Sequence, residues 1–235
     1  GNLQAVIISN GNSTTEQKAI TNNLERNMTL DLLRIPWNKG STVGPWDYSI
    51  ADYNKGYTKS EAWVHLLVDV VSKNGTLLLS FPLPGHGELD DKAIAVLDDM
   101  TGWMAVNSEC IYDTRPWVIY GEGPPVKNDA TAKETAGNPP RGLGPALNAS
   151  DIRFTTKGDV LYAVVMGWPE GGKTNIKALA TNSANYKHEI GSIEMLGSSG
   201  RLEFARDENG LSVTLPTQRS KTDDYGVALK VIPKA

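Results

Sequence analysis

Carboxylates and tryptophans are the residues of this 235-residue chain whose types and positions best suit chemistry. Glu16 follows the first predicted strand, where the βα loop of a barrel would carry it to the catalytic face. Glu25 lies in or beside the second predicted strand, and Trp37 and Trp46 lie in a polar stretch with glycine and proline. Carboxylic acids protonate glycosidic oxygens and aromatic faces stack on the C–H surfaces of sugars, so this set indicates carbohydrate chemistry.

Each of these residues also has a purely structural interpretation. Glu16 would suit the first turn of a helix, where the helix dipole favours a carboxylate. Glu25 would suit a buried carboxylate paired with a cation, as its neighbour Arg26 suggests. Trp37 and Trp46 would suit loop anchors packed on the rim of a barrel. The residues alone leave these alternatives open.

Metal, cofactor and nucleotide sites are not indicated. The chain has no phosphate-binding loop, no G-x-S-x-G sequence and no H-E-x-x-H sequence. Its single cysteine, Cys110, excludes an internal disulfide framework and a cysteine-based zinc site, and we expect it to be a small buried apolar residue. The three histidines, His65, His86 and His188, lack metal-ligand spacing. We therefore expect no metal and no cofactor.

Charge and hydropathy exclude two kinds of partner. The formal net charge of −4 argues against nucleic acid and anionic membranes, because both bind basic surfaces. The strongly apolar runs, such as Leu77–Phe81 and Val160–Gly167, are far shorter than the ~20 residues of a transmembrane helix. The chain begins at Gly1 without methionine or an apolar leader, so we expect a mature or trimmed product whose compartment cannot be read from a signal.

Residues 1–118 mix helix and strand patterns. Ala5–Ile8 is a short β-branched run that predicts a strand buried on both faces. Thr58–Glu61 has the spacing of a capping box, and the helix that follows is apolar nearly all round. Asn74 and Gly75 predict its end, with the left-handed conformation that glycine permits.

A strand and another helix complete this pattern. Thr76–Phe81 is a continuous apolar run, as in a parallel sheet covered on both faces. Asp90 or Asp91 begins a helix with apolar residues at helical spacing, and we expect Trp63 and Trp103 to be core residues on helix faces. This alternation predicts βα units.

The second half of the chain has a different composition. Residues 119–150 are rich in glycine and proline and predict a linker. Residues 151–235 show short alternating runs, which predict an antiparallel sandwich. Asn209-Gly210 predicts a hairpin turn, and Tyr225–Ile232 predicts the last strand.

Three blocks of sequence carry a resemblance to a known family. The first runs from Ser72 to Leu79 and continues at Gly85–Leu89, the second is Asn107–Trp117, and the third is Asp151–Glu170. In this order they resemble the last barrel strand and loop, the sequence after the final barrel helix, and the start of the C-terminal sandwich of α-L-fucosidases, glycoside hydrolase family 29. The resemblance begins near Leu24, so the chain is similar to the C-terminal portion of such an enzyme.

The resemblance implies a fold class of α/β plus all-β. Residues 1–118 would be the last part of an irregular (β/α) barrel, followed by the linker at 119–150 and the antiparallel β-sandwich at 151–235. It also implies hydrolysis of terminal α-L-fucosides with retention, through a covalent glycosyl-enzyme. Retention needs two carboxyl groups about 5–5.5 Å apart. Because a full barrel takes about 250 residues, we expect only the last three βα units here, and no nucleophile is assigned.

The resemblance also ranks the candidate site residues. Glu16 is the first choice for the acid/base, because it lies in the loop region where the family places that residue. Glu25 matches a family carboxylate and is the second choice, with a supporting role as the alternative. Trp46, in Gly44-Pro45-Trp46, resembles the aromatic wall beside the fucose ring, and Trp37 is the second candidate for sugar binding.

Two hypotheses of different classes follow. In the first, the chain is part of an α-L-fucosidase and contacts a fucosylated glycan. In the second, it is a non-catalytic sugar-binding or structural remnant. An open half-barrel exposes strand edges, so we expect the N-terminal barrel portion or a self-associated copy to cover that edge. The family implies a periplasmic, extracellular or lysosomal location.

Overall fold

The computed structural model describes most of the chain. The described residues are 8–9, 15, 20–25, 28–29, 31–124, 143–144 and 146–234. Glu16 lies outside them, as do most of the first predicted strand and the middle of the predicted linker. Within the described ranges, no helix combines the length and apolarity needed to cross a membrane.

A parallel sheet with helices forms the first part of the molecule. The part of this sheet that the structure describes has four strands in the order β1-β2-β3-β4, each parallel to its neighbour. The elements are β1 (Ile8–Ser9), β2 (Thr21–Asn23), β3 (Trp37–Thr42), α1 (Ile50–Lys55), α2 (Ser60–Ser72), β4 (Gly75–Ser80) and α3 (Asp91–Asn107). Parallel strands alternating with helices confirm the predicted partial (β/α) architecture.

Helix α2 is apolar on nearly all sides, and this composition suits its position between two layers of the structure. Leu66 and Val70 belong to the cluster formed with β3 and β4, whereas Val64 and Val68 pack toward the C-terminal sandwich. Trp63 is fully buried, as predicted for a core residue. The helix therefore separates the parallel sheet from the second domain.

The ends of the helices differ in detail from the predictions. Helix α2 begins at Ser60, and its N-cap, Lys59, makes no side-chain capping bond, so the predicted capping box is absent there. The left-handed residue after α2 is Asn74, with φ 70°, and Gly75 instead begins β4. For α3, the prediction is confirmed, because the side chain of Asp90 accepts a hydrogen bond from the backbone N–H of Ala93.

In the second part, the described residues form eight strands in two antiparallel sheets. The five-stranded sheet has the order β5-β6-β7-β12-β9, and the three-stranded sheet has the order β10-β11-β8. The strands are β5 (Arg115–Glu122), β6 (Ile152–Lys157), β7 (Val160–Val165), β8 (Lys173–Ile176), β9 (Ile190–Met195), β10 (Phe204–Asp207), β11 (Gly210–Thr214) and β12 (Val227–Pro233). This arrangement confirms the predicted sandwich, and β10 and β11 form the predicted hairpin.

Strand β5 crosses the predicted boundary between barrel and linker. The boundary at residue 118 lies within this strand, and Gly121 and Glu122 pair with β6 of the sandwich rather than forming linker. Gly121, with the glycines and prolines that follow it, made the end of this segment similar to a linker in sequence. Gly121 and Pro116 are compatible with β5 because it lies at the edge of its sheet, where proline need not donate to a neighbour.

An apolar cluster joins the two parts. The five-stranded sheet presents Tyr162 and Val164 to the helices, and Trp103 of α3 packs against them, fully buried. The indole Nε1 of Trp103 donates to the carbonyl oxygen of Gly226 at 2.8 Å. Cys110 is buried in the same cluster, as predicted, and burial raises the pKa of its thiol.

A buried ion network also crosses this junction. The carboxylate of Asp69 on α2 accepts hydrogen bonds from Arg153 Nε at 2.6 Å and from Lys73 Nζ at 2.8 Å. Both cations lie over the ring of Tyr120, at 5.4 Å for Arg153 and 4.7 Å for Lys73. The three charged residues are each at most 6% exposed, so Asp69 compensates two buried positive charges.

Candidate active site

The carboxyl ends of parallel strands lie at one edge of the sheet, and functional residues of (β/α) barrels cluster at that edge. Glu25 follows β2, Trp46 follows β3, and His86 follows β4. The structure therefore brings the loops of Glu25 and Trp46 to the same edge. Glu16 belongs to the segment after β1, which lies outside the described residues.

The backbone around Glu25 is held in an uncommon conformation. Glu25 has φ 48°, in the left-handed region that residues other than glycine seldom adopt. Its backbone N–H donates to Asn23 Oδ1 at 3.1 Å, and its carbonyl oxygen accepts from the buried Lys39 ammonium at 3.0 Å. The residue is exposed, so the alternative of a buried structural carboxylate does not hold. The backbone bonds instead position an outward-facing carboxylate.

The loop of Trp46 packs on its neighbours while its tryptophan faces solvent. Trp46 is 60% exposed. A Cβ atom on Gly44 would lie 3.1 Å from the ring of Tyr57 and 3.2 Å from Pro82, which shows how closely this loop approaches both residues. Thr42 Oγ1 also donates to the carbonyl oxygen of Pro45 at 3.4 Å. A supported loop with an exposed indole suits stacking against a sugar ring.

The Tyr57 ring packs against this loop and its hydroxyl bonds to Asp90, a contact that the sequence analysis missed. The Tyr57 hydroxyl donates to Asp90 Oδ2 at 2.6 Å. Burial, reinforced by this hydrogen bond, raises the pKa of Tyr57, so its hydroxyl remains a donor at neutral pH. The two residues are 33 positions apart, and no local pattern connects them.

Trp37 lies elsewhere. It begins β3, at the opposite end of that strand from the Trp46 loop, and its side chain is fully buried among the helix-facing residues. Its Nε1 donates to the carbonyl oxygen of Lys73 at 2.9 Å. A sugar cannot reach this ring in the folded chain. The placement conflicts with the predicted sugar-binding role, and we leave Trp37 out of the candidate site.

The sheet face opposite the helices carries residues that sequence reasoning also missed. Asn38 and Thr76 are register partners, and Asn38 Nδ2 donates to Thr76 Oγ1 at 3.2 Å. The next pair along the strands on this face is Gly40 and Leu78, and a Cβ atom on Gly40 would lie 3.9 Å from the Glu25 Cα atom. The two-residue alternation of β3 and β4 is the signal that would have identified this face.

The donor set of the described residues does not suit a metal ion. No group of three or more histidine, cysteine, aspartate or glutamate side chains converges in the part of the chain that the structure describes. The candidate site thus consists of a carboxylate and an exposed indole at the carboxyl edge of the sheet.

Two family models match the chain in sequence order. The first, described as alpha-L-fucosidase, matches residues 2–109. The second, described as alpha-L-fucosidase C-terminal domain, matches residues 147–232. The two matched regions do not overlap, and they fall on the parallel sheet with its helices and on the sandwich, respectively.

Curated relatives are similar over most of this chain. It is 26% identical to human tissue alpha-L-fucosidase over 176 residues, which cover 73% of this chain and 30% of the human protein. It is 25% identical to human plasma alpha-L-fucosidase, over 79% of this chain and 34% of that protein. The chain thus spans about a third of the length of these relatives.

Solved structures share the fold. An alpha-L-fucosidase superposes with a TM-score of 0.70 at 24% identity, covering 91% of this chain and 42% of the solved one. The Thermotoga maritima alpha-fucosidase gives 0.67 at 23% identity, over 90% and 42%. A Bacteroides thetaiotaomicron GH29 alpha-L-fucosidase, solved as a trapped covalent intermediate, gives 0.65 at 13% identity, over 92% and 43%. With both domains matched in order, the chain belongs to the α-L-fucosidase family and resembles the C-terminal portion of its members.

Proposed function

We propose that this chain supplies the acid/base loop and part of the sugar pocket of a retaining exo-α-L-fucosidase, which removes terminal α-L-fucose from glycans. The observation that carries the proposal is the placement of Glu25 and exposed Trp46 at the carboxyl edge of the sheet. Family membership narrows the carbohydrate chemistry of these residues to fucosides.

The proposed chemistry divides between this chain and the rest of the enzyme. In a retaining enzyme, a carboxylate attacks the anomeric carbon while an acid protonates the leaving oxygen, and the same acid then deprotonates the attacking water. Glu16 is our first choice for the acid/base, with Glu25 as the second choice or as a supporting residue. The trapped covalent intermediate of the Bacteroides relative supports retention. The nucleophile belongs to the portion that this chain does not cover.

The open edge of the sheet supports a partner that completes the barrel. Among the described strands, β4 pairs with β3 on one side only. A groove of about 1070 Å³ runs beside it, with apolar walls from β4 and the two long helices that include Leu67, Leu79, Leu97 and Met104. We propose that a parallel βα unit of the N-terminal barrel portion fills this groove, because solved relatives more than twice as long share this fold.

Hydrolysis of 4-nitrophenyl α-L-fucoside tests both proposals. We expect turnover when the chain is joined to, or mixed with, the upstream portion of its reading frame, and no turnover by the 235-residue chain alone. Light scattering on the same samples distinguishes a 1:1 complex from a self-dimer, which would identify a second copy as the occupant. If the chain joined to its upstream portion also fails to hydrolyse the aryl fucoside, the non-catalytic alternative is favoured.

Two variants assign the acid/base. If Glu16 has this role, Glu16→Gln should reduce hydrolysis of a fucosyl disaccharide far more than that of the aryl fucoside, whose leaving group needs little protonation. Azide should rescue the slow second step. Glu25→Gln is compared in the same assays, with exposed Glu203→Gln in the sandwich as the matched control. Equal losses on both substrates without rescue would remove the variant residue from the acid/base role.

A further inference from the structure

A second groove lies on the sandwich, away from the elements of the candidate active site. Its volume is about 350 Å³. Its walls come from β5, the turn between β6 and β7, and the loop before β9, and they include Trp117, Thr156, Asp159, Asn185, Tyr186 and His188. Aromatic surface combined with a few hydrogen-bonding groups is the usual composition of a small-molecule site.

An edge-to-face series of aromatic rings runs from the sandwich core to this groove, where Trp117 is partly exposed. The ring centroids of Phe154 and Trp117 are 5.0 Å apart, those of Trp117 and Tyr186 are 6.3 Å apart, and those of Tyr186 and His188 are 5.6 Å apart. Phe154 is fully buried in the sandwich core, whereas His188 is exposed. The series therefore anchors the groove in the core and ends at solvent.

The loop that carries Tyr186 and His188 is held rigidly by one arginine. Arg206 of β10 donates to four carbonyl oxygens of this loop at 2.6–3.1 Å, those of Leu179, Ala180, Tyr186 and His188. A loop ordered before binding loses little conformational entropy when a ligand arrives. The polar side chains at the groove mouth are thus positioned in advance.

We propose that this groove binds a neutral pyranose residue of a glycan. The partly exposed Trp117 ring offers apolar surface for the C–H face of a sugar, and Thr156, Asp159 and Asn185 offer groups that bond its hydroxyls. Asp159 and Lys187 bring opposite charges to the groove, so the groove does not select an anionic ligand. Binding here requires no hydrolysis and stands independently of the proposed fucosidase activity.

Amide chemical-shift titration of the 235-residue chain tests the proposal, with D-galactose, N-acetyl-D-glucosamine and L-fucose as probes. We expect shifts at residues 117, 156–159 and 184–188, with dissociation constants in the millimolar range. Asn185→Ala and His188→Ala change exposed side chains and should each weaken binding about three-fold or more.

Two controls separate this groove from the candidate active site. Asn175→Ala changes an exposed asparagine of the three-stranded sheet and should leave the titration unchanged. Trp46→Ala should also leave it unchanged. The proposal is overturned if no sugar shifts the groove residues at concentrations on the order of 50 mM. It is equally overturned if the only shifts lie at the carboxyl edge and disappear in Trp46→Ala, or if only a peptide or an anionic sugar binds the groove.

Discussion

Strands β4 and β7 both come from apolar runs of sequence, but their surroundings differ. An apolar run of this kind is typical of a strand that is buried on both faces. In β7, alternate residues face the sandwich core and the helix layer, and Leu161 and Tyr162, on opposite faces, are each 1% exposed. In β4, Leu77 packs against the helix layer, whereas Leu78 on the other face is 61% exposed. Strand β7 is therefore covered on both faces, whereas the described residues cover β4 on one face only.

This difference shows what an apolar run does and does not encode. The run requires cover for both faces, but the cover for each face comes from elsewhere in the fold. Strand β7 is covered on one face by the three-stranded sheet and on the other by α2 and α3. The uncovered face of β4, next to the open groove, supports the proposal that a further barrel segment completes the sheet.

The largest expected effect tests the junction between the two regions. Asp69→Asn keeps the side-chain shape but leaves Lys73 and Arg153 as buried cations without an anion, so we expect a loss of about 3–5 kcal/mol in unfolding free energy. Urea denaturation measures it. Asp52→Asn, in an exposed ion pair with Lys55, should change stability by less than about 1 kcal/mol. Similar small losses for both variants would mean that the buried network does not couple the regions.

Truncation of one leucine on each strand compares the two regions directly. Leu161→Ala should cost about 2–5 kcal/mol, because Leu161 is fully packed. Leu78→Ala in the 235-residue chain should change stability by less than about 0.5 kcal/mol, because its side chain is exposed. In a complex with the upstream portion, Leu78→Ala should become destabilising. Equal costs in the isolated chain would contradict the uncovered face.

Close packing at the start of β4 gives a further prediction. A Cβ atom on Gly75 would lie 2.6 Å from the Trp37 ring, so Gly75→Ala should destabilise the chain by about 1–3 kcal/mol. Gly85→Ala is the control, because no atom lies within 4 Å of its Cβ position. Thermal unfolding measures both variants, and a neutral Gly75→Ala would indicate that Trp37 moves freely.

Trp46→Ala tests the carboxyl edge in the active protein. Loss of the exposed indole should reduce transition-state binding by about 1–2 kcal/mol, measured as a decrease in kcat/KM for the aryl fucoside. Phe204→Ala removes a partly exposed aromatic side chain from the sandwich and should leave kcat/KM unchanged. An unchanged value for Trp46→Ala would remove this residue from the sugar pocket.

The smallest expected effect is a pH dependence at the junction. Burial is the main cause that lowers the pKa of His65, against opposing contributions from Glu61, Asp151 and the Tyr225 backbone, while Arg153 also lowers it. The unfolded chain therefore takes up a proton on His65 at a higher pH than the folded chain does, and stability falls as pH falls below about 6.5. One proton limits the slope to about 1.4 kcal/mol per pH unit. Comparison with His65→Gln by urea denaturation between pH 7 and 5 isolates this contribution, and identical slopes would contradict it.

Local patterns predicted the elements well where short-range physics decides them. Apolar spacing identified α2 and α3, Asp90 identified the start of α3, and Asn209-Gly210 identified the hairpin of β10 and β11. Patterns failed where a residue type has two uses. Gly121 suggested linker, yet it lies in an edge strand that tolerates it.

The two loop tryptophans show the same limit within the candidate site. Trp37 and Trp46 come from one polar stretch, and the sequence ranked Trp46 first without indicating that Trp37 is buried. The structure buries Trp37 fully against Gly75 and leaves Trp46 60% exposed. The distinction depends on a strand that pairs with β3 from more than thirty residues away in sequence.

By itself, the sequence determined the βα rhythm, the sandwich and the family, because these follow from local periodicity, turn chemistry and ordered blocks of residues. Only the tertiary structure decided which side chains meet. Arg153 and Asp69 are 84 residues apart and form the junction, and Tyr57 finds Asp90 beneath the Trp46 loop. Such contacts arise from how packed layers bring distant segments together, and a local pattern of residues does not record that arrangement.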